Sequence, residues 1–189
     1  MGKVFDSMHP EHLAFIAKQH IFFVGSAPLN EEGHVNLSPK GHDLLRVLST
    51  TEVAYLDLTG SGNETSAHLE ENGRITLMFM AVEGPPMILR LYGKGRVVLP
   101  GTPDWETFAP QFTILPGARQ IISVQVEVVK TSCGFSVPYF RYEGERPTLQ
   151  QWATQKGQEG LLAYRQEKNA VSMDGLVTTI GQKLSTNSM

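Results

Sequence analysis

Four stretches of this chain are rich in β-branched and aromatic residues, bounded by Gly, Pro or Asn, and spaced too closely for long helices to lie between them. They are Val53 to Leu58 (VAYLDL), Arg74 to Ala81 (RITLMFMA), Met87 to Leu99 (MILRLYGKGRVVL) and Arg119 to Val129 (RQIISVQVEVV). Each reads as a strand. Ile21 to Ser26 (IFFVGS), a turn over Pro28 to Gly33, and His34 to Ser38 add a hairpin, so at least six strands are expected. Short connections favour antiparallel pairing, and an antiparallel barrel outranks a doubly wound parallel sheet.

Helices are few. Pro10 fits a first helical position, with Leu13, Ile16 and Ala17 following at helical spacing. Asp104 to Phe108 reads as a short helix. Pro147 to about Glu167 reads as a longer one, broken or bent at Gly157 and Gly160. After Asn169 the chain becomes polar and Ser/Thr-rich, which predicts a tail held loosely unless it docks on a partner subunit. A chain of 189 residues with 41% hydrophobic and 19% charged residues supports one substantial core. The expected organisation over residues 1–189 is one domain, with a core at about 20–138 and a C-terminal helix and tail at about 147–189.

Several function classes are disfavoured. The formal net charge is −3 and no Lys/Arg block follows a phosphate backbone, so nucleic acid is not an expected partner. Charges or glycines interrupt every apolar run, and Met1 to His20 lacks the apolar core of a signal peptide; a soluble, cytoplasmic protein with no membrane contact is expected. Cys133 is the single cysteine, which allows neither an internal disulfide nor a thiolate cluster; it is expected as a small buried hydrophobe. Only His9 and His12 lie close together, so no metal site is expected, and no Gly-x-Ser-x-Gly elbow occurs. Trp105, Phe108 and Phe112 read as packing residues.

Two segments carry chemistry. In Thr59 to Ser66 (TGSGNETS), glycines two residues apart allow left-handed backbone and successive N–H groups aimed at one point, with a helix start at the same place. Thr59, Ser61, Asn63, Thr65 and Ser66 add donors suited to phosphate oxygens; Glu64 is compatible only if it points away. The same residues also read as an ordinary loop with Asn63 or Thr65 as helix cap, and they match neither Walker A nor dinucleotide spacing. In Val35 to Gly41 (VNLSPKG), apolar residues suit a flat ring while Ser38 and Lys40 reach a charged group, or Lys40 is a solvated strand-end lysine.

Taken together, HVNLSPKG, VAYLDLTGSGNETSAHLEENGRITLMF and PPMILRLYGKGRVV resemble the FMN-binding core of the pyridoxamine 5′-phosphate oxidase family, from about Phe22 to Val98. Cys133 to Pro138, Glu159-Gly160-Leu161 and Glu167-Lys168-Asn169 resemble one branch of it. The resemblance implies a mainly β, antiparallel split β-barrel with a few flanking helices, and a homodimer with FMN between subunits. It implies an FMN-dependent oxidoreductase acting on a small molecule; the alternative is a binding or carrier protein for flavin, the deazaflavin F420 or haem. Carried over by position, the flavin-contacting strand falls on Asn36, Leu37, Ser38 and Lys40, the strand end on Leu58 and Thr59, and the phosphate turn on Asn63, Glu64, Thr65 and Ser66. Arg90 falls near the flavin ring. No side chain is assigned as a catalytic acid or base.

The departures matter. Asn63-Glu64-Thr65 stands where the vitamin-processing oxidases carry Ser-Arg-Lys, so two positive charges are missing, and phosphate binding would lean on backbone N–H groups, hydroxyls and Lys40. Their C-terminal Arg-Leu-His segment has no counterpart, so the resemblance does not extend to pyridoxal phosphate synthesis.

Overall fold

The computed structural model describes residues 2–186. Eight antiparallel strands form one curved sheet: β1 (Val4–Phe5), β2 (Phe22–Ser26), β3 (Asn36–Lys40), β4 (Leu45–Val47), β5 (Glu52–Leu58), β6 (Arg74–Met80), β7 (Ile88–Val98) and β8 (Ala118–Ser132). Their order is β3-β2-β6-β7-β8-β5-β4, with β1 paired to the far end of β8. This is the antiparallel split barrel expected from the sequence. Five helices flank it: α1 (Pro10–Ile16), α2 (Glu64–Asn72), α3 (Pro103–Phe108), α4 (Thr148–Lys168) and α5 (Thr179–Thr186). No described helix is long and apolar enough to cross a membrane.

The continuous apolar runs have a physical cause. Val53 and Tyr55 of β5 pack inward with Ile122, Val124 and Val126 of β8, while Ala54, Leu56, Leu58 and Ile121 face a second cluster under Phe108 and Phe112. Both faces of these strands are covered, so alternation disappears; β6, covered on one side, keeps it. The period-two placement that buries Val53 and Tyr55 also carries Asp57 inward at the end of β5. Gly93 sits at a register shift between β7 and β8, where a Cβ would lie 2.0 Å from the Gln125 carbonyl oxygen.

Three expectations need correction. The hairpin strand begins at Asn36 rather than His34, and the short strands β1 and β4 carry too few residues to show a period. Cys133 is exposed, not a buried hydrophobe. The segment after Asn169 is docked on its own chain: Val171 bridges Val177, α5 follows, and Asn169, Ser172 and Thr178 are buried. Its Ser/Thr content satisfies backbone and side-chain partners instead of water; Thr178 Oγ1, for example, donates to the Asn169 carbonyl at 2.7 Å. Helix α4 does break at Gly157, with φ 64° and ψ 177°.

Candidate functional site

Asp57 is the centre of a buried polar network. Its Oδ1 accepts Lys40 Nζ–H from β3 at 2.8 Å, and its Oδ2 accepts Arg119 Nε–H at 2.8 Å and Gln120 Nε2–H at 2.9 Å from β8. Burial alone would raise the Asp57 carboxyl, but the charges of Arg119 and Lys40 and their hydrogen bonds override it and hold the group far below the ordinary carboxylate range. The network thus ties the edge strand β3 to the opposite side of the barrel.

From this centre the bonds run to the glycine turn. Gln120 Nε2 also donates to Asn63 Oδ1 at 2.9 Å, and Arg119 Nη1 donates to the Gly62 carbonyl at 2.8 Å and to Asn169 Oδ1 at 2.9 Å. Asn169, fully buried at the end of α4, donates through Nδ2 to the Gly60 carbonyl at 3.0 Å. One turn earlier, Arg165 Nε donates to Thr59 Oγ1 at 2.9 Å. Neither Gly60 nor Gly62 has a positive φ, so left-handed freedom is not what the glycines supply. Gly60 supplies openness, since no atom lies within 4 Å of a Cβ built there. Among the described residues, the N–H groups of Gly60, Ser61, Gly62 and Asn63 donate to no protein acceptor.

Beside this turn lies an open cleft of about 1380 Å³, lined by Phe15, Lys40, Leu58, Thr59, Met80 and Tyr142 among others. The segment after Pro138 forms part of its wall as an extended strap. The Tyr142 ring stacks on His20 at 3.7 Å between centroids, and its N–H donates to Glu83 Oε1 at 3.1 Å. Glu145 accepts the Tyr142 hydroxyl at 3.0 Å and the His42 N–H at 2.9 Å. His42 has φ 60°, a conformation rare for a residue with a side chain and held here by the Glu145 carboxylate.

The pyridoxamine 5′-phosphate oxidase family profile matches residues 8–133. The chain belongs to that family. A curated relative, the family protein ustO of Aspergillus flavus, is 38% identical over 176 residues, which is 84% of this chain and 70% of the relative. Among solved structures, a single-residue variant of HupZ from Group A Streptococcus aligns with a TM-score of 0.53 at 20% identity, covering 66% of this chain and 99% of HupZ. A candidate pyridoxamine 5′-phosphate oxidase of Lactobacillus delbrueckii aligns with a TM-score of 0.51 at 16% identity, covering 66% of this chain and 94% of that one. At these identities the two structures speak to the fold.

Within this family member, the residues read as a site do not gather in one place. Lys40, Leu58 and Thr59 line the cleft. Asn36, Ser38 and Thr65 form a hydrogen-bonded row, Ser38 Oγ donating to Asn36 Oδ1 at 3.1 Å and Asn36 Nδ2 to Thr65 Oγ1 at 3.0 Å. Asn63 is the residue before α2, yet its side chain makes no cap bond and turns to Gln120 and Asn169. Glu64 accepts the Met173 N–H, yet its carboxylate stays beside the turn, with Oε1 3.1 Å from a Cβ built at Gly62, and Ser66 is fully buried against Thr179, 3.1 Å between hydroxyls. Leu37 faces outward, and Arg90 lies apart from the cleft, donating to Ser132 Oγ at 3.1 Å. Asp57, Arg119, Gln120 and Arg165 are not singled out by the sequence, and Asn169 enters it only within the Glu167-Lys168-Asn169 resemblance, with no site role. A lone carboxylate inside VAYLDL was the one visible signal, because a buried Asp requires a cation.

Proposed function

We propose that this family member is an FMN-dependent oxidoreductase acting on a small molecule, with the flavin beside β3 and its phosphate at the turn between β5 and α2. The observation that carries the reading is the row of open N–H groups at Gly60 to Asn63, with Lys40, Arg119 and Arg165 gathered around it. Unpartnered N–H groups fit a phosphate dianion, provided that the Glu64 carboxylate beside Gly62 turns aside. Bound FMN would supply hydride or electron transfer.

The chain's own residues do the rest. The turn would hold the phosphate, Asn36 and Ser38 offer side-chain bonds along the edge strand, and Met80, Leu58 and the strap line the cleft with apolar and aromatic surface. A second copy is part of the proposal: Val35 and Leu37 leave 77% and 65% of their surface exposed on and beside edge strand β3, where an apolar partner face would cover them.

The test is the visible spectrum of purified protein before and after incubation with FMN and gel filtration, followed by anaerobic addition of NADH or NADPH. Retained flavin bands that bleach with the reductant and return with a small acceptor support the proposal. A haem or F420 chromophore, or a protein that leaves FMN on the column, overturns it; retained flavin that never turns over reduces it to a carrier.

A further inference from the structure

The glycine turn carries a carboxylate of its own. Glu64, the first residue of α2, places Oε1 3.1 Å from a Cβ built at Gly62, in space that a side chain at 62 would crowd. A Cβ sits about 2.5 Å from its own nitrogen, so on either side of the backbone this oxygen lies within about 5.6 Å of the Gly62 nitrogen. An anion accepting that N–H at about 2.9 Å would then be held within about 8.5 Å of the Glu64 charge, close to one Debye length in physiological salt. Like charges at that range repel, and a dianion is repelled twice as strongly as a monoanion.

What holds the carboxylate there comes from the far end of the chain. Among the described residues, Glu64 accepts only the Met173 N–H, at 3.1 Å to Oε2 and 3.3 Å to Oε1. Met173 lies in the tip of the hairpin closed by the Val171–Val177 bridge. Other bonds fix that tip independently of Glu64. Asp174 accepts the His34 N–H at 2.8 Å and lies 2.7 Å from His34 Nδ1, and Thr179 beyond the hairpin donates to Glu70 Oε1 at 2.5 Å. The hairpin is thus seated by its own contacts, and the Met173 N–H presents a fixed donor that decides where the Glu64 charge rests.

We infer that Glu64 is a specificity-determining residue of the glycine turn, and Met173 a positioning residue that keeps its carboxylate beside Gly62, so that the docked C-terminal hairpin biases the turn against dianions. The inference rests on the phosphate-bearing ligand proposed above. In fluorescence titrations at low ionic strength, Glu64→Gln should tighten FMN by at least about fivefold, the factor that ~1 kcal/mol represents for a dianion at the largest separation allowed above in water, and leave riboflavin within about twofold. Gln still accepts the Met173 N–H, so the hairpin stays docked, and the gain should shrink in about 1 M salt. Met173→Pro removes the N–H at a position that suits proline, the residue after Ser172 in a turn closed by the Gly175 N–H donating to the Ser172 carbonyl at 3.0 Å. It should also tighten FMN over riboflavin, and add less than about twofold on the Glu64→Gln background. FMN affinity unchanged or weakened in Glu64→Gln, or an equal gain for riboflavin, overturns the inference. No gain in Met173→Pro, or a gain that persists in full without the Glu64 charge, overturns the role of Met173. Inorganic phosphate separates the inference from the flavin reading. If neither flavin binds, yet phosphate raises the thermal midpoint of Glu64→Gln more than that of the wild type, the flavin reading alone falls; if phosphate also moves neither protein, both fall.

Discussion

Replacing Asp57 with Asn should cost about 3–5 kcal/mol of folding stability, the usual loss when one partner of a buried ion pair is removed. The figure follows from what the carboxylate holds. It accepts three hydrogen bonds, two from cations, and Arg119 is as buried as Asp57 itself. An Asn keeps one acceptor and turns an amide N–H group toward a guanidinium, leaving Arg119 without its counter-charge. For a chain of this length the loss corresponds to a fall of roughly 6–20 °C in thermal midpoint, at about 2–4 °C per kcal/mol. Urea unfolding followed by circular dichroism measures it. The pH dependence supplies a second reading. The folded carboxyl titrates below its unfolded value, so its contribution is complete above about pH 4 and is lost as pH falls further through the folded value. The gap between wild type and Asp57→Asn should therefore be flat from about pH 5 to 8 and close only below about pH 4. A loss under about 1 kcal/mol at neutral pH, the scale of an exposed pair, would refute the claim that Asp57 organises the site.

Burial lowers the folded-state titration of His68, despite the nearby charges of Glu64, Asp174 and Glu71. Stability should thus fall as pH drops below about 6.5, and His68→Asn should flatten part of that slope in melts between pH 8 and 5; an unchanged slope sinks the assignment. Gly93→Ala drives a Cβ to 2.0 Å from the Gln125 carbonyl and should destabilise the β7–β8 pair by about 1–3 kcal/mol or more, whereas Gly60→Ala, with open space at its Cβ, should be tolerated; similar melts for both would contradict the packing. Glu145→Ala removes the acceptor for the His42 N–H and the Tyr142 hydroxyl, so trypsin should cut after Arg141 faster than in wild type, and equal cleavage rates would show that the strap is held by other contacts.

What the sequence determined by itself was the part written in local chemistry. The β-branched runs, the glycine-rich turn and the break at Gly157 each follow from backbone preferences within a few residues, and the strand order is compatible with them. The strand VNLSPK could be placed at the site because its polar residues alternate, which puts Asn36, Ser38 and Lys40 on one face whatever lies opposite. Tertiary structure decided the rest, because the deciding partners lie far apart along the chain. Lys40 was read as a ligand-facing or solvated lysine, yet it meets Asp57, which only the closure of the barrel brings to it. Ser66 looked like a phosphate donor, yet Thr179, 113 residues on, takes its hydroxyl. Asn169 read as the start of a loose tail, and it is buried because the Gly60 carbonyl and Arg119 find their partner there. No window of local sequence contains these pairings; they arise from the requirement that every buried polar group find a partner once the sheet has closed.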